Sequence, residues 1–253
     1  MAMSDAAVVL KDVSVTVHQQ NQTKTILDDV DLTIAPGDFV TVLGTNGAGK
    51  STLFNAIAGN LAASGQVTLA GQNVTSLNAI QRAKYIARVF QDPKLGTAGR
   101  MTVAENLVLA QHRGERRTLR GRRLETARPQ LQAEAAQFSN GLDQLLDSPT
   151  ETLSGGQRQS LSLLMAVQKD PALLLLDEHT AALDPHTSAQ LMALTDRVIK
   201  ERHLTALMIT HRMDDALKYG NRLIVLENGR LKADYNAAAK AKLKREDLLE
   251  FFD

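Results

Sequence analysis

The sequence predicts an α/β fold: a parallel sheet flanked by helices, an antiparallel β region at the amino end and an inserted helical subdomain. Three observations lead there. The first third is made of segments rich in β-branched residues and separated by turn residues. A short apolar strand runs straight into a glycine-rich loop and then into a helix, and beyond residue 157 helical and strand-like stretches alternate, as they do around a parallel sheet covered on both faces.

Taken in order, strands are expected at 8–17, 26–34, 39–43 and 66–69, the third of them feeding a helix at 51–58 that Gly59 closes. From about 93 to 151 the composition turns to Leu, Ala, Gln, Glu and Arg with few β-branched residues, which favours a separate helical lobe. A helix at 157–168, an apolar run at 173–176, a helix at 187–200 and a strand at 204–210 follow. The strand at 223–226 leads into Asn228-Gly229, a pair suited to a type I′ hairpin turn, and 236–253 is expected to form a short helix. The expected division is one domain, with a core at about 1–92 and 157–235, the helical subdomain at 93–156 and the tail at 236–253.

Composition bounds the function classes. With 253 residues, 43% hydrophobic and 23% charged, the chain has the make-up of a globular domain with a substantial core. Its 29 basic and 28 acidic residues nearly cancel, so no global field argues for nucleic acid or an anionic membrane. There is no cysteine, which excludes disulfides and thiolate metal sites and fits a reducing compartment. Neither a leader pattern over residues 1–10 nor a run of 18 apolar residues is present, so any membrane it serves is expected to be spanned by other chains.

Gly44-Thr45-Asn46-Gly47-Ala48-Gly49-Lys50-Ser51 fits G-x-x-x-x-G-K-[ST], a loop whose glycines let backbone N–H groups turn inward around phosphate oxygens at a helix N-terminus. This predicts a P-loop NTPase core, with Gly44, Asn46, Gly47, Ala48, Gly49, Lys50, Ser51 and Thr52 as nucleotide-binding candidates. Leu173-Leu174-Leu175-Leu176-Asp177-Glu178 reads as a buried strand ending in two carboxylates, one placed for a metal ion on the phosphates and one for an attacking water. Without the phosphate loop it reads equally as a core strand with a solvated end. Leu153-Ser154-Gly155-Gly156-Gln157 precedes a helix and suits either a second phosphate group or a plain serine N-cap with flexible glycines. Its place between the phosphate loop and the acidic strand points to two chains sharing each nucleotide.

In the order and spacing of these motifs the chain resembles the nucleotide-binding subunit of ABC transporters, over about residues 8–231. Gln91 falls at that family's Q-loop glutamine, Ala181-Ala182-Leu183-Asp184 at its D-loop and His211 at its switch histidine. The resemblance implies ATP and Mg²⁺ as ligands. Lys50 would pair the β- and γ-phosphates, Ser51 and Gln91 would ligate the metal, Asp177 would hold it through water and Glu178 would polarise the attacking water. His211 would contact the γ-phosphate. Ser154, Gly155, Gly156 and Gln157 would reach the nucleotide of the opposite subunit, and Asp184 would lie across the dimer interface. A homodimer docked on a transmembrane permease at the cytoplasmic face of a bacterial membrane is implied, with no nucleic-acid partner.

The sequence also departs from the family. The aromatic residue that usually stacks on adenine aligns with Val17, which offers only apolar contact unless His18 turns inward. Phe90-Gln91-Asp92-Pro93 and the His179 and Ala181 of Asp177-Glu178-His179-Thr180-Ala181 resemble a bacterial subclass of importer ATPases that work with a small permease and a substrate-binding lipoprotein. Systems of that kind are thought to import amino acids, aromatic ones among those considered. The rival is a soluble ABC ATPase acting on DNA, ribosomes or cofactor assembly. Only 61 residues separate Gln91 from Leu153, too few for a long coiled coil, and each motif occurs once, so cofactor assembly is the surviving alternative. His179 and His186 are expected at the surface or just behind the site. Arg113, Arg116, Arg117, Arg120, Arg122, Arg123 and Arg128 read as a solvated helix face, with lipid headgroups or a permease as the other reading; Lys240, Lys242, Lys244 and Arg245 in the tail are read in the same way.

Overall fold

The computed structural model describes residues 6–19, 22–115, 124–138 and 141–252, with the side chains of His18, Gln19 and Gln22 also outside the description. In chain order the elements are β1 (Val8–Gln19), β2 (Gln22–Ile34), β3 (Phe39–Leu43), α1 (Lys50–Ala58), β4 (Ser64–Leu69), β5 (Gln72–Asn73), α2 (Ala79–Arg82) and β6 (Ile86–Val89). Then come α3 (Val103–Gln111), α4 (Leu124–Ala136), α5 (Gly155–Ala166), β7 (Leu173–Asp177), α6 (Pro185–Glu201), β8 (Ala206–Ile209), α7 (Met213–Lys218), β9 (Arg222–Glu227), β10 (Arg230–Tyr235), α8 (Ala237–Lys240) and α9 (Arg245–Leu249).

Two sheets organise them. The first is antiparallel, ordered β2-β1-β4-β5, and corresponds to the amino-terminal β region the sequence predicts. The second is ordered β10-β9-β3-β8-β7-β6 and is parallel from β9 to β6, with β10 returning as an antiparallel edge strand. The β9–β10 hairpin turns through Asn228 and Gly229 at φ 48° and 78°, the two positive values that a type I′ turn requires.

Alternation along the central strands separates two cores. Leu173 and Leu175 of β7, with Leu207 and Ile209 of β8, face a cluster that contains Leu53, Phe54 and Ile57 of α1 and the inner face of the antiparallel sheet. Leu174, Leu176, Ala206 and Met208 point the other way, into a cluster with Leu107 of α3, Leu131 of α4, Leu161 and Leu164 of α5 and Val198 of α6. A strand buried on both faces reads as an unbroken apolar run, which is why the four leucines ahead of Asp177 carry no polar alternation.

The structure differs from the sequence reading in four places, and the first two have physical reasons. β6 was not expected: it is four residues long and interrupted by Arg88, so it carries no apolar run of its own and exists through its ladder with β7. The helix expected from 157 begins at Gly155, because Ser154 and Gln157 exchange side chain and backbone bonds in a capping box that outweighs the low helix propensity of two glycines. The tail is two short helices rather than one. Lys240 is 5% exposed and not on a solvated face. Among the described residues no helix is long and apolar enough to cross a membrane.

Candidate functional site

The carboxyl ends of the parallel strands deliver the functional side chains to one edge, where open α/β sheets bind ligands. β3 leads into the glycine loop, β7 ends at Asp177, β8 is followed by Thr210 and His211, and β6 is followed by Phe90 and Gln91. Gly44 is forced by space: a Cβ there would lie 2.2 Å from the Leu226 carbonyl oxygen. Gly49 caps α1 at φ 102°, a conformation side chains rarely adopt.

Lys50, the first residue of α1, is 6% exposed and donates to the carbonyls of Gly44 at 2.8 Å and Thr45 at 2.9 Å. The ammonium thus braces the loop whose N–H groups form the cradle. Burial lowers its pKa, an effect that the nearby Glu178 carboxylate partly offsets. Ser51 is exposed, Thr52 half-buried and Ala48 buried, while Asn46 and Gly47 form the exposed tip.

Asp177 pairs with the Arg88 guanidinium, which also donates to Asn55 Oδ1 at 2.6 Å. Glu178 sits at φ 46°, a left-handed value that costs a non-glycine residue roughly 1 kcal/mol and is stored at functional sites. Its Oε1 lies 2.7 Å from His211 Nε2, the side chains being 16% and 41% exposed. Glu178 and His211 are thus brought together by the parallel pairing of β7 and β8. Gln91 is exposed on a groove lined by Asn55, Arg88, Phe90, Asp92 and Asp177.

Ser154, Gly155, Gly156 and Gln157 line a separate hollow with Ala182, Leu183, Asp184 and Thr187, and no residue of the phosphate loop lines it. Gly156 permits this: a Cβ there would meet Thr187 Cγ2 at 2.6 Å. Asp184 caps α6, accepting from the N–H groups of His186 and Thr187 at 3.1 Å each, and its bonding to Thr187 holds the carboxyl below its ordinary range. Val17 is half-buried against the core below the antiparallel sheet, and the His18 side chain lies outside the described residues. So do Arg116, Arg117, Arg120, Arg122 and Arg123.

Two residues behind the site escaped the sequence reading. Arg88 is one, and no local signal marks it, because β6 is itself unexpected and the partner Asp177 lies 89 residues downstream. The other is Gln159, which is buried on α5 and donates to the Phe90 carbonyl at 2.9 Å, tying the helix behind Ser154 to the backbone beside Gln91.

His186 is exposed, and His179, 2% exposed, takes the other of the two expected places, behind the site. Thr195 Oγ1 donates to the Leu191 carbonyl at 2.8 Å and is 3.0 Å from His179 Nε2, so the imidazole is the neutral Nε2–H tautomer donating to the hydroxyl oxygen. Burial pushes its pKa from 6.5 down to about 4. The unfolded chain therefore binds more protons between those values. The stability that the neutral ring contributes is complete above 6.5 and is lost as pH falls towards 4, a loss of about 3 kcal/mol. Urea unfolding at about pH 7 and pH 4 should show that extra loss in the natural chain and not in His179→Gln. Equal losses in both would place the acid sensitivity elsewhere.

Comparison with known proteins gives the chain's family and fold. The family model described as ABC transporter matches residues 27–181. A tyrosine transport ATP-binding protein of Clostridioides difficile is 44% identical over 230 residues, covering 90% of this chain and 91% of that protein. The thiamine import ATP-binding protein ThiQ of Yersinia pseudotuberculosis is 38% identical over 212 residues, 83% of this chain and 84% of its own. Among solved structures, the dimeric post-hydrolysis ATP-binding cassette MJ0796 bound to ADP and Pi superimposes with a TM-score of 0.78 at 27% identity, over 91% of this chain and 98% of that one. Matched along nearly its whole length in sequence and in fold, this chain belongs to the ABC transporter family as an ATP-binding, ATP-hydrolysing subunit.

Proposed function

We propose that the chain powers a bacterial importer of amino acids, aromatic ones in particular, by closing as a homodimer around two ATP molecules beneath a transmembrane permease. The observation that carries the hydrolytic half is the Glu178–His211 pair at 2.7 Å on neighbouring strand ends, next to the buried Lys50. For the dimer, support comes from the hollow at Ser154–Gln157, which holds no phosphate-loop residue and so needs its nucleotide from elsewhere. The substrate class rests on the tyrosine transport relative.

In this reading Lys50 and the N–H groups of the Gly44–Ser51 loop hold the β- and γ-phosphates, Glu178 orients and deprotonates the attacking water, and His211 holds both Glu178 and the γ-phosphate. Phosphoryl transfer asks mainly for such positioning. Ser51, Gln91 and Asp177 offer a hydroxyl, an amide carbonyl and a carboxylate oxygen of the kind Mg²⁺ prefers, with Gln91 and Asp177 on one groove, so their chemistry fits that ion, which would share Asp177 with Arg88. Bound there, Mg²⁺ would neutralise charge on the phosphates. Val17 gives the adenine an apolar flank. Asp184 reaches the second subunit. The core at about 1–92 and 157–235 supplies the cradle, and the subdomain at 93–156 the opposite face.

The groove beside Gln91, with Leu95 71% exposed on it, is the docking place for the permease at the cytoplasmic face of the membrane. A substrate-binding lipoprotein completes the system through that permease. To test the reading, a tagged Glu178→Gln chain is recovered with MgATP from detergent-solubilised membranes, and uptake of labelled tyrosine is measured in cells lacking the chain. A co-purifying multi-spanning protein and lost uptake are expected. Recovery with soluble assembly proteins instead would favour the cofactor-assembly alternative, and normal tyrosine uptake would remove the substrate class.

Ser154 separates cap from catalysis. Glycine is nearly as good an N-cap as serine, so Ser154→Gly should cost only a few tenths of a kcal/mol in a thermal melt. Losing a hydroxyl that bonds a phosphate should lower steady-state ATPase about tenfold. Unchanged ATPase would leave Ser154 as a cap alone.

A further inference from the structure

Lys240 is a charged residue buried within the tail, and its surroundings lead back to the site. Its ammonium donates to the Tyr219 carbonyl, to the Gly220 carbonyl at 3.0 Å and to Thr41 Oγ1 at 3.5 Å. The Thr41 hydroxyl in turn donates to the carbonyls of Ala216 at 3.2 Å and Arg222 at 3.3 Å. One ammonium thereby joins three pieces: the tail at α8, the strand β3 that enters the phosphate loop, and the carboxyl end of α7. Among the described residues no carboxylate stands with its bonding partners, and burial pushes its pKa down to about 8. Desolvating such a group is costly unless hydrogen bonds compensate, so the burial of Lys240 depends on these contacts being kept in place.

The rest of the tail grips the same helix. Leu248 of α9 is fully buried in a cluster with Leu43, Ala216, Leu223 and Val225, against which Met213, Leu217, Phe251 and Phe252 are packed. Arg245 of α9 reaches Asp214 of α7 at 3.9 Å. Leu43 immediately precedes Gly44, and α7 begins two residues after His211. The tail is therefore in contact with both arms of the site, the strand that feeds the cradle and the helix that follows the histidine.

We propose that Lys240 is a positioning residue for hydrolysis: it pins the tail across the end of α7 and β3, and so keeps His211 at its 2.7 Å contact with Glu178. This rests on the roles given above to Glu178 and His211. α7 is only six residues long, so in this proposal a shift at its carboxyl end is passed to its amino end beside His211.

The test uses the full chain with isotope-labelled histidine. Lys240→Met keeps the aliphatic stem and deletes the three contacts, while Lys240→Arg restores donors. Lys240→Met should lower kcat for ATP about fivefold with KM within about twofold, the signature of a group out of place rather than a lost binding contact. It should also displace the His211 ring resonance, identified by its loss in His211→Ala, and leave that of His112 where it was. Lys240→Arg should recover both. If Lys240→Met does not fold, Leu248→Ala, which strips the tail's buried anchor and keeps the ammonium, is read in the same two ways. An unmoved His211 resonance, a kcat loss that Lys240→Arg does not repair, or a failure of both Lys240→Met and Leu248→Ala to fold overturns the proposal. If His211→Ala leaves kcat intact, the hydrolytic role of His211 falls and the resonance alone decides whether the tail holds the ring.

Discussion

Glu178→Gln should lower the rate of ATP hydrolysis by about 10²- to 10⁴-fold, the usual worth of a general base, while ATP binds with nearly its natural affinity. The substitution changes two things only: the negative charge and the capacity to take a proton. Shape is kept, the amide oxygen still reaches His211 Nε2, and glutamine meets the same φ of 46° at no greater cost than glutamate. Lys50 loses a nearby anion but keeps its two loop carbonyls, so the phosphate cradle stays formed. Binding and chemistry should therefore part company. With MgATP the variant should accumulate as a dimer on size exclusion, since closure precedes the step it cannot take, and equilibrium dialysis should return an ATP affinity within about threefold of the natural chain. A hydrolysis rate within tenfold of natural would mean that Glu178 is not the base and that its pairing with His211 is only structural.

How much of this was legible in the sequence depends on whether local chemistry or distant partners set each feature. The phosphate loop was legible because only glycine fits where Gly44 meets the Leu226 carbonyl and where Gly49 turns at φ 102°, and the four leucines of β7 because both faces of that strand are buried. Asn228-Gly229 announced its turn for the same local reason. β6 gave no such signal, since its Arg88 is justified by Asp177 some ninety residues downstream. The strand order β10-β9-β3-β8-β7-β6, which sets His211 beside Glu178, is likewise a matter of long-range pairing. Lys240, chosen for contacts inside the fold, reads as a surface residue in sequence, and His179 as surface or just behind the site, because the groups that bury them belong to other elements of the chain.

The second large effect is expected at Lys50, and its two consequences should run in opposite directions. Lys50→Met keeps a side chain of similar length along the path to the cradle but removes the ammonium. A charged hydrogen bond is worth about 1.5–3 kcal/mol, so losing the contact to the phosphates should weaken ATP binding by roughly 10- to 10²-fold, and hydrolysis at low ATP should fall with it. Folding should respond little or even gain. The ammonium is almost wholly buried, its charged form is penalised by that burial, and methionine carries no such penalty. Against this stands the loss of its bonds to the buried Gly44 carbonyl and to the Thr45 carbonyl, and at the half-exposed Thr45 water can replace the donor. The natural chain should thus melt at about the same temperature as the variant without nucleotide and well above it with saturating ATP, because only the natural chain gains the linkage term from tight binding. If isothermal titration found the ATP affinities within threefold of each other, Lys50 would be a brace for the loop and not a phosphate ligand. A variant that melts far lower without nucleotide would make the brace the greater part of its role, and the loss of affinity would then follow from a collapsed cradle.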